Sequence, residues 1–143
     1  MKFDNYMILE FPSKSANEAF ARSAVACFAS QMDPTLKELG DIRTAVSEAV
    51  TNCIVHAYPD GFGIITLRCR ILNDNILDIV IKDRGIGIKD LEQARRPTFT
   101  TGGADRSGMG FTIMESFMTD LEISSASGKG TTVHMRRKLL RRQ

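Results

Sequence analysis

Between residues 34 and 57, apolar side chains recur three and four positions apart: Leu39, Ile42, Val46, Ala49 with Val50, Cys53 and Ala57. That spacing lines one face of a long α-helix, and an apolar stripe of such length has to be covered by a second layer. Asp33-Pro34 supplies a start signal, with Asp as cap and Pro in the first turn, and Tyr58-Pro-Asp-Gly61 supplies the stop. The covering layer follows at once. Ile64 to Leu72 and Ile76 to Ile81 are β-type runs joined by the turn residues Asn73-Asp74-Asn75. Upstream, residues 6–11 read as a strand ended by Pro12. A capping-box pattern, Ser15-Ala-Asn-Glu18, then opens a helix over 16–31, with Phe20, Ala24, Cys27 and Phe28 at helical spacing. Downstream, residues 111–118 read as a helix. Two further strands start near Leu121 and Thr131, joined around Gly128-Lys-Gly130. The pattern predicts an α+β fold: a two-layer sandwich whose mixed, mostly antiparallel sheet is covered by helices.

The chain has 143 residues, 43% of them hydrophobic, which fits one globular domain over 1–143 and is too apolar for a disordered chain. No apolar run reaches the roughly 18–20 residues of a membrane span. The start, Met1-Lys2-Phe3-Asp4-Asn5, is not a signal peptide, so a cytoplasmic location is expected and no membrane partner. Five of the 19 basic residues (Arg136, Arg137, Lys138, Arg141, Arg142) fall in the last eight positions, against 17 acids overall. The rest of the chain is therefore slightly acidic, which argues against direct nucleic-acid binding. The basic end reads as a solvated tail. Cys27, Cys53 and Cys69 are well separated, odd in number and set among apolar residues, so buried free thiols are expected.

Four stretches carry candidate chemistry. Glu48 and Asn52 are four apart and share one helix face beside the apolar stripe. A carboxylate there can deprotonate a hydroxyl, and a carboxamide oxygen suits Mg²⁺; read alone, the pair is also an ordinary polar helix face. Asp83-Arg-Gly85-Ile-Gly87 puts an acid and two glycines at a strand end, able to accept from a base amino group. The pattern fails the dinucleotide fingerprint, because position 90 is Asp where a third glycine is needed. Arg106-Ser-Gly108-Met-Gly110-Phe leads into a helix, where backbone N–H groups and an arginine suit phosphate. Pro97-Thr-Phe-Thr-Thr-Gly-Gly-Ala104 before it has the composition of a mobile lid. Gly128-Lys-Gly-Thr-Thr132 reads as a hairpin turn. Six of the 11 glycines lie between 84 and 110, so a ligand approaches the backbone there or a segment moves.

In their order and spacing these stretches resemble the Bergerat-type ATP-binding domain shared by gyrase, histidine kinases, heat-shock chaperones and MutL. Ser47-Glu-Ala-Val-Thr-Asn-Cys-Ile-Val-His-Ala-Tyr58, Pro97-Thr-Phe-Thr-Thr101 and Arg106-Ser-Gly-Met-Gly-Phe-Thr-Ile-Met-Glu115 are similar to the small serine kinases that act as anti-sigma factors in spore-forming bacteria. The resemblance runs over nearly the whole chain. It implies ATP with Mg²⁺ as cofactor, ADP as product, a sigma factor of the sigma-F type as partner, and an anti-anti-sigma protein as phosphorylation substrate. It implies that Glu48 takes the serine proton, that Asn52 ligates Mg²⁺, and that Asp83 bonds the adenine amino group with Thr131 close by through water. Gly85 and Gly87 would let the chain pass the nucleotide. Arg106, Ser107, Gly108, Met109, Gly110 and Phe111 would form the phosphate site, with Thr100 and Thr101 in the lid. Arg22 would contact protein partners, and the first strand and helix would form a homodimer surface. Between Thr101 and Arg106 the chain reads Gly-Gly-Ala-Asp, shorter and less basic than the usual lid.

A rival of another class is a nucleotide-gated sigma-binding module without phosphotransfer. A histidine-kinase catalytic half is a third reading, but no helix pair carries an acceptor histidine. His56 reads as structural, and His134 as surface or core filler in a strand.

Overall fold

The computed structural model describes residues 3–88 and 110–140. Five strands form one sheet in the order β1-β2-β3-β5-β4, and every neighbouring pair is antiparallel. The strands are β1 (Phe3–Pro12), β2 (Ile64–Leu72), β3 (Ile76–Asp83), β4 (Asp120–Ser125) and β5 (Thr131–Lys138). Helices α1 (Ala16–Ala29), α2 (Leu36–Asn52) and α3 (Gly110–Phe117) supply the second layer. The expected α+β sandwich is present, with a sheet that is antiparallel throughout the described residues.

Alternation along the strands sorts the side chains. Leu67, Cys69, Leu77, Ile79, Ile81, Val133 and Met135 face inward and are buried against Ile42, Val46, Ala49 and Val50 of α2. The same period carries Asp83, at the end of β3, onto the inward face behind Ile81, and it is 3% exposed. The β2–β3 turn places Asp74 (φ 66°) and Asn75 (φ 62°) in the left-handed region, which short polar side chains tolerate best after glycine.

Helix α2 starts later than Asp33-Pro34 predicts. Asp33 is left-handed (φ 52°) and closes a 3-10 turn, and Thr35 is the cap. Thr35 Oγ1 accepts from Glu38 N at 3.0 Å and Glu38 Oε1 accepts from Thr35 N at 2.8 Å, a complete capping box. The other Glu38 oxygen accepts from Leu140 N at 2.8 Å. Burial pushes its carboxyl up, but the backbone N–H bonds from Thr35 and Leu140 outweigh this and hold it below the usual range. At Ser15 the predicted box does not form. Glu18 turns instead to Ser47 Oγ across the helix pair (2.7 Å) and to Arg22 Nε one turn on in α1 (3.1 Å).

Helix α1 is rotated by about one position from the predicted face. Phe28 is buried as expected, but beside Ala21, Val25 and Ala29, while Phe20 is 54% exposed and Cys27 is exposed. Both sets have helical spacing; the one with smaller side chains lets α1 lie close to α2 and β2. Of the three thiols, Cys53 and Cys69 are buried as expected and Cys27 is not.

The basic C-terminus is mostly strand. Arg136, Arg137 and Lys138 belong to β5. Arg137 Nη1 donates to Asp41 Oδ2 at 2.9 Å and to Phe117 O, tying β5 to α2 and α3. On the open sheet face, Asp78 is fully buried beneath basic side chains. Its Oδ1 lies 2.5 Å from His134 Nε2 and 2.8 Å from Arg136 Nε, and its Oδ2 lies 3.1 Å from Arg70 Nε. His134 is thus an acid's partner rather than filler.

Candidate nucleotide-binding site

Two walls meet at the C-terminal end of α2. Glu48 and Asn52 project from the last turns of α2 toward the start of α3, whose first residue is Gly110. A Cβ at Gly110 would stand 3.2 Å from Glu48 Oε2 and 3.2 Å from Asn52 Nδ2, tighter than side-chain contacts normally are. Gly110 therefore lets the backbone of α3 come against this acid–amide pair. Phe111, next along, is buried and anchors α3 in the core.

After Asn52 the helix widens into a π-turn over Cys53–Ala57. Such turns often mark functional positions because they re-aim the following backbone. Here Ala57 O accepts from Ile86 N at 2.9 Å, and the Tyr58 hydroxyl accepts from Arg84 N at 2.8 Å. These bonds fix the Asp83–Gly87 turn, the second wall. Asp83 Oδ1 accepts from Gly85 N (3.0 Å) and from Thr131 N (3.2 Å). The Cys53 thiol lies near this carboxylate; burial and then the Asp83 charge push that thiol well above its usual range. Gly87 (φ +75°) packs directly on the backbone of Ala126, where a side chain would collide. Gly128 N donates to Ile86 O at 2.6 Å, so the Gly128–Gly130 turn is part of the same wall. Ser125 Oγ closes it, accepting from Ile88 N (2.7 Å) and lying 2.8 Å from Thr131 Oγ1.

The structure thus gathers Asp83, Gly85, Gly87 and Thr131 into one hydrogen-bonded wall, with Glu48, Asn52, Gly110 and Phe111 at the other. Thr100, Thr101, Arg106, Ser107, Gly108 and Met109 lie outside the described residues. Arg22 stands apart, on α1, its side chain 42% exposed and paired with Glu18. Sequence reasoning missed Ala57, Tyr58 and Ser125. Tyr58 had a signal, since it closes the Ser47–Tyr58 stretch, but it read as a helix stop. Among the described residues no group of three or more His, Cys, Asp or Glu is placed to hold a metal. The carboxamide of Asn52 and carboxylate of Glu48 remain as hard oxygen donors, which fits Mg²⁺, an ion that takes few protein ligands and keeps waters and phosphates.

Residues 11–137 match the family model of the histidine kinase-like ATPase domain, and the chain belongs to that family. It therefore carries an ATP-binding domain of the kinase type. Within the family it belongs with the anti-sigma F factors. It is 57% identical over 136 residues to the anti-sigma F factor of Caldanaerobacter subterraneus subsp. tengcongensis, covering 94% of each chain. It is 49% identical over 136 residues to that of Clostridium acetobutylicum, again covering 94% of each. Among solved structures, the RsbU and RsbW domains of Rv1364c from Mycobacterium tuberculosis superpose with a TM-score of 0.70 at 17% identity, over 95% of this chain and 32% of that one. A histidine kinase domain from Erythrobacter litoralis gives a TM-score of 0.59 at 21% identity, over 85% of this chain and 60% of that one. These two likenesses concern the fold. No described helix is long and apolar enough to cross a membrane.

Proposed function

We propose that this chain is an anti-sigma factor that holds a sporulation sigma factor of the sigma-F type. We propose further that, as an ATP-dependent serine kinase, it phosphorylates that factor's anti-anti-sigma antagonist. The observation that carries the kinase reading is the Glu48–Asn52 pair set against the Gly110 end of α3, across from the Asp83 wall. An acid, an amide and the backbone of α3 at Gly110 converge there, and phosphoryl transfer needs little more than positioning and charge stabilisation.

Asp83 accepts from the adenine amino group, and Thr131 lies beside it. The N-terminus of α3 at Gly110 and Phe111, with Arg106, Ser107, Gly108 and Met109 before it and Thr100 and Thr101 in the lid, holds the phosphates. Asn52 would hold Mg²⁺, which would offset phosphate charge there. Glu48 orients the acceptor serine and takes its proton as the serine oxygen bonds the γ-phosphorus. The bond to the bridging oxygen breaks and ADP leaves. The phosphoserine adds negative charge at the docked surface, and the antagonist dissociates.

Arg22 on α1 is the partner contact, and β1 with α1 forms a homodimer surface for the sigma factor. The complex works in the cytoplasm without touching nucleic acid itself. The test is capture of a sigma-F-type factor by the purified protein in ATP and in ADP, with Arg22→Glu alongside. Capture that depends on nucleotide and is lost in Arg22→Glu, with nucleotide binding kept, supports the proposal. Equal capture by Arg22→Glu refutes the partner surface, and no capture in either nucleotide refutes the sigma assignment.

A further inference from the structure

We propose that Tyr58 is a positioning residue for the nucleotide base, and that its hydroxyl sharpens the choice of an amino-bearing purine over a carbonyl-bearing one. The inference rests on the reading of Asp83 as the base acceptor. Three consecutive amides of the turn are each tied differently. Arg84 N donates to the Tyr58 hydroxyl at 2.8 Å, Gly85 N to Asp83 Oδ1 at 3.0 Å, and Ile86 N to Ala57 O at 2.9 Å. Two of these acceptors are a backbone carbonyl and the base-reading carboxylate itself. The tyrosine hydroxyl is the one that another side chain brings in from outside the turn.

The geometry uses both capacities of that hydroxyl. It accepts from Arg84 N and donates to Ile64 O at 2.9 Å, so it joins the start of β2 to the residue directly after Asp83. The ring is held in place by Gly63, where any Cβ would run into it. The bond therefore fixes the backbone from which the Asp83 side chain springs. A carboxylate discriminates bases by accepting: it bonds an exocyclic amino group and repels a carbonyl oxygen at the same place. That discrimination needs a fixed oxygen, because a looser turn weakens the bond to adenine and relaxes the clash with hypoxanthine.

Tyr58→Phe removes the hydroxyl and leaves the ring. The test is titration calorimetry of the whole protein with ADP and with IDP, beside amide exchange by NMR. The expected result is ADP affinity lower by about three- to tenfold, IDP affinity less affected, and the ADP-to-IDP ratio narrowed. The Arg84 amide should exchange faster while the Ile86 amide keeps its rate. An unchanged ratio, whether both affinities hold or both fall together, overturns the proposal, as does an Arg84 amide that exchanges as before. Asp83→Asn keeps the two readings apart. If it binds ADP like wild type, the base-acceptor reading fails and this inference with it. If it loses ADP while Tyr58→Phe does not, only this inference falls.

Discussion

Replacing Asp78 by Asn perturbs the one fully buried acid that the described residues place on the open face of the sheet. Strand register places Arg70 and Arg136 directly beside it on the two neighbouring strands, and His134 two positions from Arg136. The carboxylate bonds all three, and Arg68 Nη2 stands 3.9 Å away. Asparagine keeps the shape but removes the charge and turns an N–H₂ toward a cation. Three charge-assisted bonds would sum to about 4.5–9 kcal/mol if the cations were left dry. They are not: Arg70, His134 and Arg136 keep 21%, 27% and 32% of their side-chain surface and can take up water when released. A cost of about 3 kcal/mol is expected, near the lower end for breaking a buried pair. For a domain of this size that lowers Tm by about 10 °C. The assay is thermal unfolding by circular dichroism from pH 8 to pH 3. Burial pushes the Asp78 carboxyl up, but the hydrogen bonds from His134 and Arg136 outweigh it and depress its pKa on folding. A depressed acid contributes stability above its unfolded value of about 4 and loses it as pH falls through the folded value. The gap between wild type and Asp78→Asn should thus close as pH falls below about 4. A Tm drop under about 2 °C, or a gap that widens in acid, refutes the reasoning.

Thr35→Ala removes half of the capping box and should cost about 1 kcal/mol in urea unfolding, with the slope unchanged. Cys27 should react with a thiol reagent in the native protein, whereas Cys53 and Cys69 should react only on unfolding. Burial, with the Asp78 charge adding to it, pushes the Cys69 thiol up to about 12, so raising the pH to 9 should not expose it to reaction.

Much of the fold is legible in the chain, because it rests on period alone. The stripe from Leu39 to Cys53 and the β runs at 64 and 76 could form only one kind of element each. What failed were choices between equivalent local signals. Asp33-Pro34 and Thr35 both offer a cap, and the structure uses the Thr35–Glu38 box, whose acid also reaches Leu140 about a hundred residues away. Ser15 and Glu18 form a good box on paper, but Ser47 across the helix pair is the stronger partner. Two helical stripes on α1 differ by one position, and the packing against α2 selects between them. In the site, Glu48, Asn52, Asp83 and the glycines stand out because their types and spacing are unusual. Tyr58 and Ser125 do not, since a hydroxyl's role depends on which distant backbone it meets. Asp78 was hidden for the same reason: its cations come from two other strands.

The most direct measurement is phosphotransfer. The protein, Mg²⁺ and γ-labelled ATP are mixed with an anti-anti-sigma protein, beside a Glu48→Ala variant shown to bind ADP. The account predicts label on an acceptor serine with wild type and a loss of at least a hundredfold with Glu48→Ala, the scale of a general base. Transfer undiminished in Glu48→Ala would contradict the assignment of the base, and no transfer by a wild-type protein that binds nucleotide and sigma factor would leave a nucleotide-gated inhibitor in place of a kinase.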